Sequence, residues 1–462
     1  MSIAQDILKG QMPDLAFYQR QGDSLDDIDE YGFTPLIECV ITRQLDTAKA
    51  LLAAGVDVNK QDVAGRTPLH WAVDNADIAQ AKLLLEHGAY ANAYTSSGLS
   101  VLVYPLLRRQ QALKNLLYHY GAKADMALDF ISGKLLGHRF ELSGCVDILN
   151  AKEEYIELDY EGFILEFSVA VIKDSLKRFI NSYSARHLRR HFPSLQQVIK
   201  AYEVAARLLA YQHLPALNEK DLGDIHTLIQ APLLILPAAS SGHAMCFMRY
   251  KQWWVKIDRG ENSLKEGSIN IYRLTHPEKV DLTFIKAFLY KKQSRAYFHQ
   301  TINQQLGLVP VHQMPISAQI SGNCSWANIQ AAMPVAFMLQ NFVNTPKDAE
   351  LQALDLYYLY LEWDKDRALY ECVERFYHAT PKRKASIASM LAAVLFQACD
   401  HTKPAHLKRA EQILAVLTEP DYRYILRTYL ITYCQKKLTR KGQNLLKILD
   451  DCGVDAYHLA QS

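Results

Sequence analysis

The spacing of apolar positions changes along the chain, and each spacing predicts a different element. Over the first quarter short apolar clusters recur at a fixed interval. Gly32-Phe-Thr-Pro-Leu36, Gly65-Arg-Thr-Pro-Leu69 and Gly98-Leu-Ser-Val-Leu102 begin 33 residues apart, and Gly55, Gly88 and Gly121 keep the same interval. Two markers on one period indicate a stacked repeat. From 127 to about 220, apolar and polar residues alternate in Tyr155–Tyr160 and again in Phe163–Phe167, which predicts two strands with a hairpin turn at Glu161-Gly162. A helical period follows from Gln196 to Tyr211. Leu233–Leu236 reads as a buried strand, His243–Tyr250 and Trp253–Asp258 as two strands around Lys251-Gln252, and Ser268–Leu274 as another. Leu282–Leu306 reads as helix and Gly307–Asn323 as a long, proline-bearing loop of the kind that carries sites. Gln319–Asn328 then runs into an apolar segment, Ile329–Phe342, and the last quarter has helical periodicity almost throughout, for example at Leu351–Trp363, Lys384–Cys399 and Ala405–Leu417.

The repeat has a physical reading. Thr-Pro opens a helix with a cap and a pre-set φ, the Leu pairs at 51–52 and 84–85 close a second helix on its apolar side, and Gly55 and Gly88 supply left-handed C-caps. A terminal unit around Ala4–Asp23 has the helical pattern without Thr-Pro, and the third repeat carries Val101 where the others carry proline. Gly65-Arg-Thr-Pro-Leu-His-Trp-Ala72 is close to the ankyrin signature, and residues 1–126 resemble an array of about four ankyrin repeats. That resemblance implies a concave protein-binding surface and no catalytic residues. His70 falls on the signature histidine and is expected to hydrogen-bond its turn. Asn59 and Asn92 are expected to tie successive turns together, with acceptance of asparagine hydroxylation as the alternative.

Composition narrows the class. A chain of 462 residues suffices for about two to four domains, and 22% charged against 49% apolar residues are the values of an ordinary soluble protein. A net charge of +2 gives no general affinity for nucleic acid or anionic membrane. The eight cysteines form no C-x-x-C and no close pairs, which argues against a disulfide framework or a zinc ribbon and for reduced thiols in cytosol or nucleus. No apolar run reaches membrane-spanning length, and Met1–Asp6 lacks the basic and apolar regions of a secretory signal. His187 and His191 share one helical face without a third ligand nearby, so a solvated basic face is expected there rather than a metal site.

Candidate chemistry gathers around Cys324. It stands after Gly322-Asn323 and before a helical run, at a helix N-terminus where unpaired backbone N–H groups favour the thiolate. The plain alternative is a free cysteine that fills a core. If Lys251-Gln252 is a two-residue turn, Asp258 faces Met245, and His243 lies one diagonal step away on the same sheet face. A carboxylate there holds the imidazole in one tautomer and stabilises its charged form. The alternative is a surface histidine beside a turn-capping aspartate at the Asp258-Arg-Gly260 bend. His312, twelve residues before Cys324, competes with His243 as the partner of the thiol.

The order His243, Asp258, Gln319, Cys324 resembles the papain-like cysteine peptidases in the permuted arrangement of adenain, the ubiquitin-like-protein peptidases and the YopJ-type acetyltransferases, over Leu233 to about Phe342. The resemblance implies Cys324 as nucleophile, His243 as base, Asp258 as orienting acid, and Gln319 with the Cys324 backbone N–H as oxyanion hole. It implies no cofactor and no metal. Gln319 stands five positions before the cysteine where the family has six, Asn323-Cys324-Ser325 replaces the usual acidic-Cys-Gly, and Pro334 is expected to kink or end the helix. Ankyrin repeats, a papain-like core and a helical tail together resemble bacterial type IV effectors delivered into the host cytoplasm or nucleus. The expected fold is multidomain: an all-α ankyrin solenoid over 1–126, an α+β cysteine protease-like domain over 127–343, and an α-helical region over 344–462. The expected function is that of a peptidase or isopeptidase aimed at a host protein by the repeats, monomeric, with no membrane or direct nucleic-acid binding. Acyl transfer at the same site and a non-catalytic binding scaffold are the alternatives.

Overall fold

The computed structural model of the protein describes residues 3–214, 216–240, 242–260, 263–319, 322–341 and 346–461. Ile320 and Ser321 before the cysteine, Phe342 at the end of the apolar segment, and the boundary expected at 343/344 lie outside the described residues. The chain forms two compact units. One comprises Met1–Gly133, Cys145–Asp159 and Thr380–Ser386, and the other Lys134–Gly144, Tyr160–Ala379 and Ile387–Ser462.

The first unit holds helix pairs at the 33-residue interval. Thr34 caps Pro35–Ile41, its hydroxyl accepting from the Ile37 N–H at 3.2 Å, and Thr67 opens Pro68–Asp74. Leu45–Ala53 and Ile78–Glu86 run back, followed by Gly55 and Gly88 at φ +86° and +88°, a conformation open to a residue without Cβ. Asparagine ties each repeat to the next. Asn59 Oδ1 accepts from the Tyr90 N–H at 2.8 Å while its Nδ2 donates to Gly88 O at 3.2 Å. Asn92 repeats this with the Lys123 N–H at 2.7 Å and Gly121 O at 2.9 Å. Asp26, one interval earlier, accepts from the Asp57 N–H at 3.0 Å. His70 Nδ1 lies 2.9 Å from Thr67 Oγ1 and Nε2 3.2 Å from Leu99 O, and burial pushes the ring down to about 4, so it is a neutral link in the turn. The third repeat, which lacks Thr-Pro, opens with only the short helix Val103–Leu107. Strands β1 (Cys145–Leu149) and β2 (Tyr155–Asp159) pair antiparallel in this unit.

The alternation at Tyr155–Tyr160 is thus a strand, but Phe163–Phe167 is not its partner. That segment enters helix Leu165–Asn181, where Phe167, Val169, Ile172, Leu176 and Phe179 are buried. Five residues of apparent alternation also fit the start of a 3.6-residue period, and the longer apolar face decides.

The second unit is built on a five-stranded antiparallel sheet in the order β3 (Leu233–Ser240), β4 (His243–Tyr250), β5 (Trp253–Ile257), β6 (Ile269–Leu274) and β7 (Leu308–Met314). Strand β7 occupies what the sequence presents as loop. Pro310 within it donates no ladder bond, and a register shift beside Ile271/Tyr272 accommodates it, as an edge strand allows. The helix expected over Leu282–Leu306 is interrupted: Leu282–Tyr290 is α-helical, and Tyr297–Thr301 is a π-type turn that leads into Ile302–Gln305. Successive residues of the sheet feed two cores. Cys246, Met248, Val255 and Ile257 pack with helices Leu165–Asn181, Phe192–Ala210 and Cys324–Gln340. Met245, Phe247 and Trp254 pack with Phe284, Phe288 and Phe298.

Helix Cys324–Gln340 is the axis of the larger core, and every residue from Ser325 to Leu339 is buried. It does not end at Pro334. A helix that is buried on all sides is held by its surroundings, which outweigh a proline penalty of about 3 kcal/mol. Asp364, 1% exposed, accepts from Arg139 Nε at 2.7 Å, from the Arg367 guanidinium at 2.9 Å and from the Ser175 hydroxyl. The remaining chain is helical, as its periodicity predicts: Pro346–His378, Pro381–Ala398, Pro404–Leu417, Arg423–Leu430, Arg440–Asp451 and Ala456–Gln461. No helix among the described residues is long and apolar enough to cross a membrane.

Candidate active site

Strands β4 and β5 pair in the register that a two-residue turn demands, Tyr250 opposite Trp253 and Cys246 opposite Ile257. His243 and Asp258 therefore leave the hairpin on one face, and His243 Nε2 lies 2.8 Å from Asp258 Oδ1. The Gly260 N–H donates to the same oxygen at 3.1 Å. The imidazole also lies close enough to the Cys324 sulfur for each to shift the other's titration, and the sulfur accepts from the Ala244 N–H at 3.4 Å. With Nε2 taken by the carboxylate, Nδ1 is the nitrogen left for the thiol. Cys324 is the first residue of its helix and is partly exposed. The Asp258 side chain is 4% exposed and that of His243 26%, so the pair is dry at the acid and open at the imidazole.

The electrostatics follow. The hydrogen bond that the ring donates to Asp258 and then its interaction with the Cys324 sulfur raise His243 to about 9 against the opposing effect of burial. Burial pushes the Cys324 thiol up, but the imidazole and the backbone N–H groups of Ala244 and Ser325 outweigh it, leaving the thiol below its ordinary 9.0. Burial acts upward on Asp258 as well, and His243, the Gly260 N–H and Lys256 bring it below the usual carboxylate value. Opposite shifts on sulfur and ring are those of a thiolate–imidazolium pair.

The sequence candidates divide accordingly. His243, Asp258 and Cys324 come together. Gln319 lies beside the Asp258-Arg-Gly260 bend, its N–H donating to Arg259 O at 2.9 Å. Its side-chain Oε1 is buried without a hydrogen bond, and among the described residues none joins Gln319 to Cys324. His312 is engaged elsewhere, with Glu350. Among the described residues no cluster of His, Cys, Asp or Glu is placed to hold a metal ion.

Four supports were not read from the sequence. Asn328, fully buried one turn after Cys324, accepts from the Arg259 N–H at 2.8 Å and donates to Ala244 O at 2.7 Å. One amide thereby fixes the neighbours of both Asp258 and His243 against the helix that carries the thiol. Its signal was present, because an amide inside an apolar helical run has to be satisfied by something across the core. Gly260 makes room for the pair: a Cβ there would stand 2.7 Å from His243 Cε1 and 3.2 Å from Asp258 Oδ1. His299 approaches Asp258 from behind, with Nε2 3.8 Å from Oδ2 and Nδ1 2.6 Å from Lys256 Nζ, and Lys256 bonds Glu266 at 3.1 Å. His138 holds the residue before the cysteine, its Nδ1 2.6 Å from Asn323 Oδ1, and stacks on Trp326 with ring centres 6.0 Å apart. Burial drives His138 down to about 4, so it serves as a neutral ring. The Glu161-Gly162 step, expected as a hairpin turn, instead lies on the same segment: the Gly162 N–H donates to Gly322 O at 2.9 Å, and a Cβ on Gly322 would stand 2.5 Å from Glu161.

Comparison with known proteins places these observations. A profile described as ankyrin repeats (many copies) matches residues 36–85. No curated protein sequence matches the chain. Among solved structures, the Legionella effector AnkH is 64% identical, the match covering 98% of this chain and 98% of that one, with a TM-score of 0.84. Carrying ankyrin repeats and matching that protein along nearly its whole length, the chain belongs to the family of the Legionella effector AnkH.

Proposed function

We propose that the protein is an effector delivered by a type IV system into a host cell, where it acts as a cysteine hydrolase of peptidase or isopeptidase type on a host protein selected by its ankyrin repeats. The observation that carries the reading is the contact of the Cys324 sulfur at a helix start with an imidazole whose Nε2 is held at 2.8 Å by a buried carboxylate. In this reading residues 127–343 form a papain-like domain, with residues 1–126 as the recognition array and 344–462 as a helical support. The effector assignment is drawn from the relative, and repeats of this kind present protein-binding surfaces.

The chemistry follows from the geometry. The thiolate attacks the carbonyl carbon, and the imidazolium, raised to about 9, protonates the departing amine. The neutral ring then takes a proton from water, which attacks the thioester and releases the acid and the thiol. Asp258 keeps the ring in one tautomer and stabilises its charge. The Cys324 backbone N–H, at a helix N-terminus, faces the oxyanion, and the Gln319 side chain is assigned as the second donor. The test is proteomic: host-cell lysate treated with the full chain is expected to yield new protein N-termini or to lose branched conjugates. Cys324→Ala, costing about 1 kcal/mol or less, is expected to fold and do neither. A folded Cys324→Ala protein that reproduced the full wild-type effect would refute the hydrolase and leave a scaffold.

A further inference from the structure

Away from Cys324, the C-terminal helices enclose a cleft of about 760 Å³, a size suited to a small molecule. Its floor is apolar, with Phe396 and Cys399 both buried. Its rim is cationic: Lys403, Arg440, Lys441 and Lys447 line it against the single carboxylate of Asp400. Its Oδ1 accepts from the Thr402 N–H at 3.0 Å and hydroxyl at 2.8 Å. None of the four cations pairs with a carboxylate among the described residues, and all four are exposed. Nearby Arg409 shows what this region does with a structural cation, bonding Glu362 at 2.7 Å and Asp366 at 2.6 Å. Residues 396–447 carry ten Lys and Arg against four Asp and Glu, in a chain whose net charge is only +2.

The backbone adds to the field. Helices Pro404–Leu417 and Arg440–Asp451 both begin at the cleft, with Lys403 as the N-cap of one and Arg440 and Lys441 as the first residues of the other. Their N-termini bring partial positive charge to the same space. The walls are joined in advance: Asn444 accepts from the His401 N–H at 3.1 Å and donates to Cys399 O at 2.9 Å. Four cations lining one opening favour an anion that carries more than one charge over a single carboxylate. A concave opening also suits a compact ligand better than an extended nucleic-acid backbone.

We propose that this cleft binds a small polyphosphorylated molecule, its phosphates held by Lys403, Arg440, Lys441 and Lys447. The test is calorimetric titration of the full chain with inorganic tripolyphosphate at low and physiological salt. Saturable binding is expected, weakened roughly tenfold or more by the paired reversal Arg440→Glu and Lys441→Glu and unchanged by Lys82→Glu in the repeats. Circular dichroism checks the fold of the pair variant, and Lys447→Gln, with a smaller loss, serves if the reversal unfolds the region. Vesicles of phosphatidylcholine with a phosphoinositide separate the sources: binding that tripolyphosphate displaces identifies a lipid headgroup, and binding of the soluble anion alone identifies a free ligand. No binding of tripolyphosphate, binding indifferent to all these variants, or capture of an RNA oligonucleotide that tripolyphosphate does not displace would each overturn the proposal.

Discussion

Gly260→Ala isolates the histidine–carboxylate contact from the rest of the fold. The φ of Gly260 lies outside the left-handed range, so an alanine backbone is acceptable there, and the conflict is in the side chain alone. The new Cβ would stand 2.7 Å from His243 Cε1, and reaching ordinary contact at 3.4 Å requires the ring to retreat by about 0.7 Å. The 2.8 Å bond to Asp258 Oδ1 would then open to roughly 3.5 Å, the limit of a hydrogen bond. Weakening a bond to a charged group costs about 2 kcal/mol, or roughly thirtyfold in the population of the thiolate–imidazolium pair. The assay is the rate of Cys324 alkylation by iodoacetamide near pH ~6, followed by mass spectrometry, where other thiols remain protonated. A roughly thirtyfold slower rate is expected, with a melting temperature changed by only about 2 °C. A folded variant with the wild-type rate and pH profile would refute the argument that this contact sustains the thiolate.

Four further outcomes are expected. In His243→Ala the burial that pushes Cys324 upward is opposed only by the backbone N–H groups, so half-maximal alkylation should move to higher pH, as a rate–pH profile would show. Because folding raises His243 from 6.5 to about 9, the wild-type stability advantage over that variant should be complete below pH 6.5 and fade as pH rises through about 9, measurable by urea unfolding across that window. Asp364→Ala should cost about 3–5 kcal/mol in denaturant unfolding, because it strands the buried Arg139 guanidinium. Asn59→Ala should remove about 1–2 kcal/mol from the first unit and speed amide exchange at Tyr90, leaving the helix that begins at Cys324 unchanged.

The parts legible in the sequence were those with short-range grammar. Gly-x-Thr-Pro-Leu with a glycine on the same period specifies helix pairs because cap, φ and left-handed terminus all lie within one repeat. The turn at Lys251-Gln252 likewise set the register that brings His243 to Asp258, since counting from a two-residue turn leaves no freedom. What stayed hidden depended on distant partners. Nothing local distinguishes Phe163–Phe167 as the start of a helix, or Leu308–Met314 as an edge strand that pairs with β6. His138 and His299 reach the site across 185 residues and 41 residues of chain respectively, and neither sits in a motif. His312, closer in sequence to Cys324 than His243 is, shows why proximity along the chain was a poor guide.

The helix that begins at Cys324 sets how this protein wears out. With every residue from Ser325 to Leu339 enclosed, it has no solvent-facing side from which to fray, and its amides should exchange only through opening of the whole unit. The sulfur at its head therefore has no loosened, half-active state to pass through on the way to denaturation. Loss of thiolate reactivity on heating should carry the activation enthalpy of global unfolding, and the reactivity left at any moment should count the molecules that remain folded.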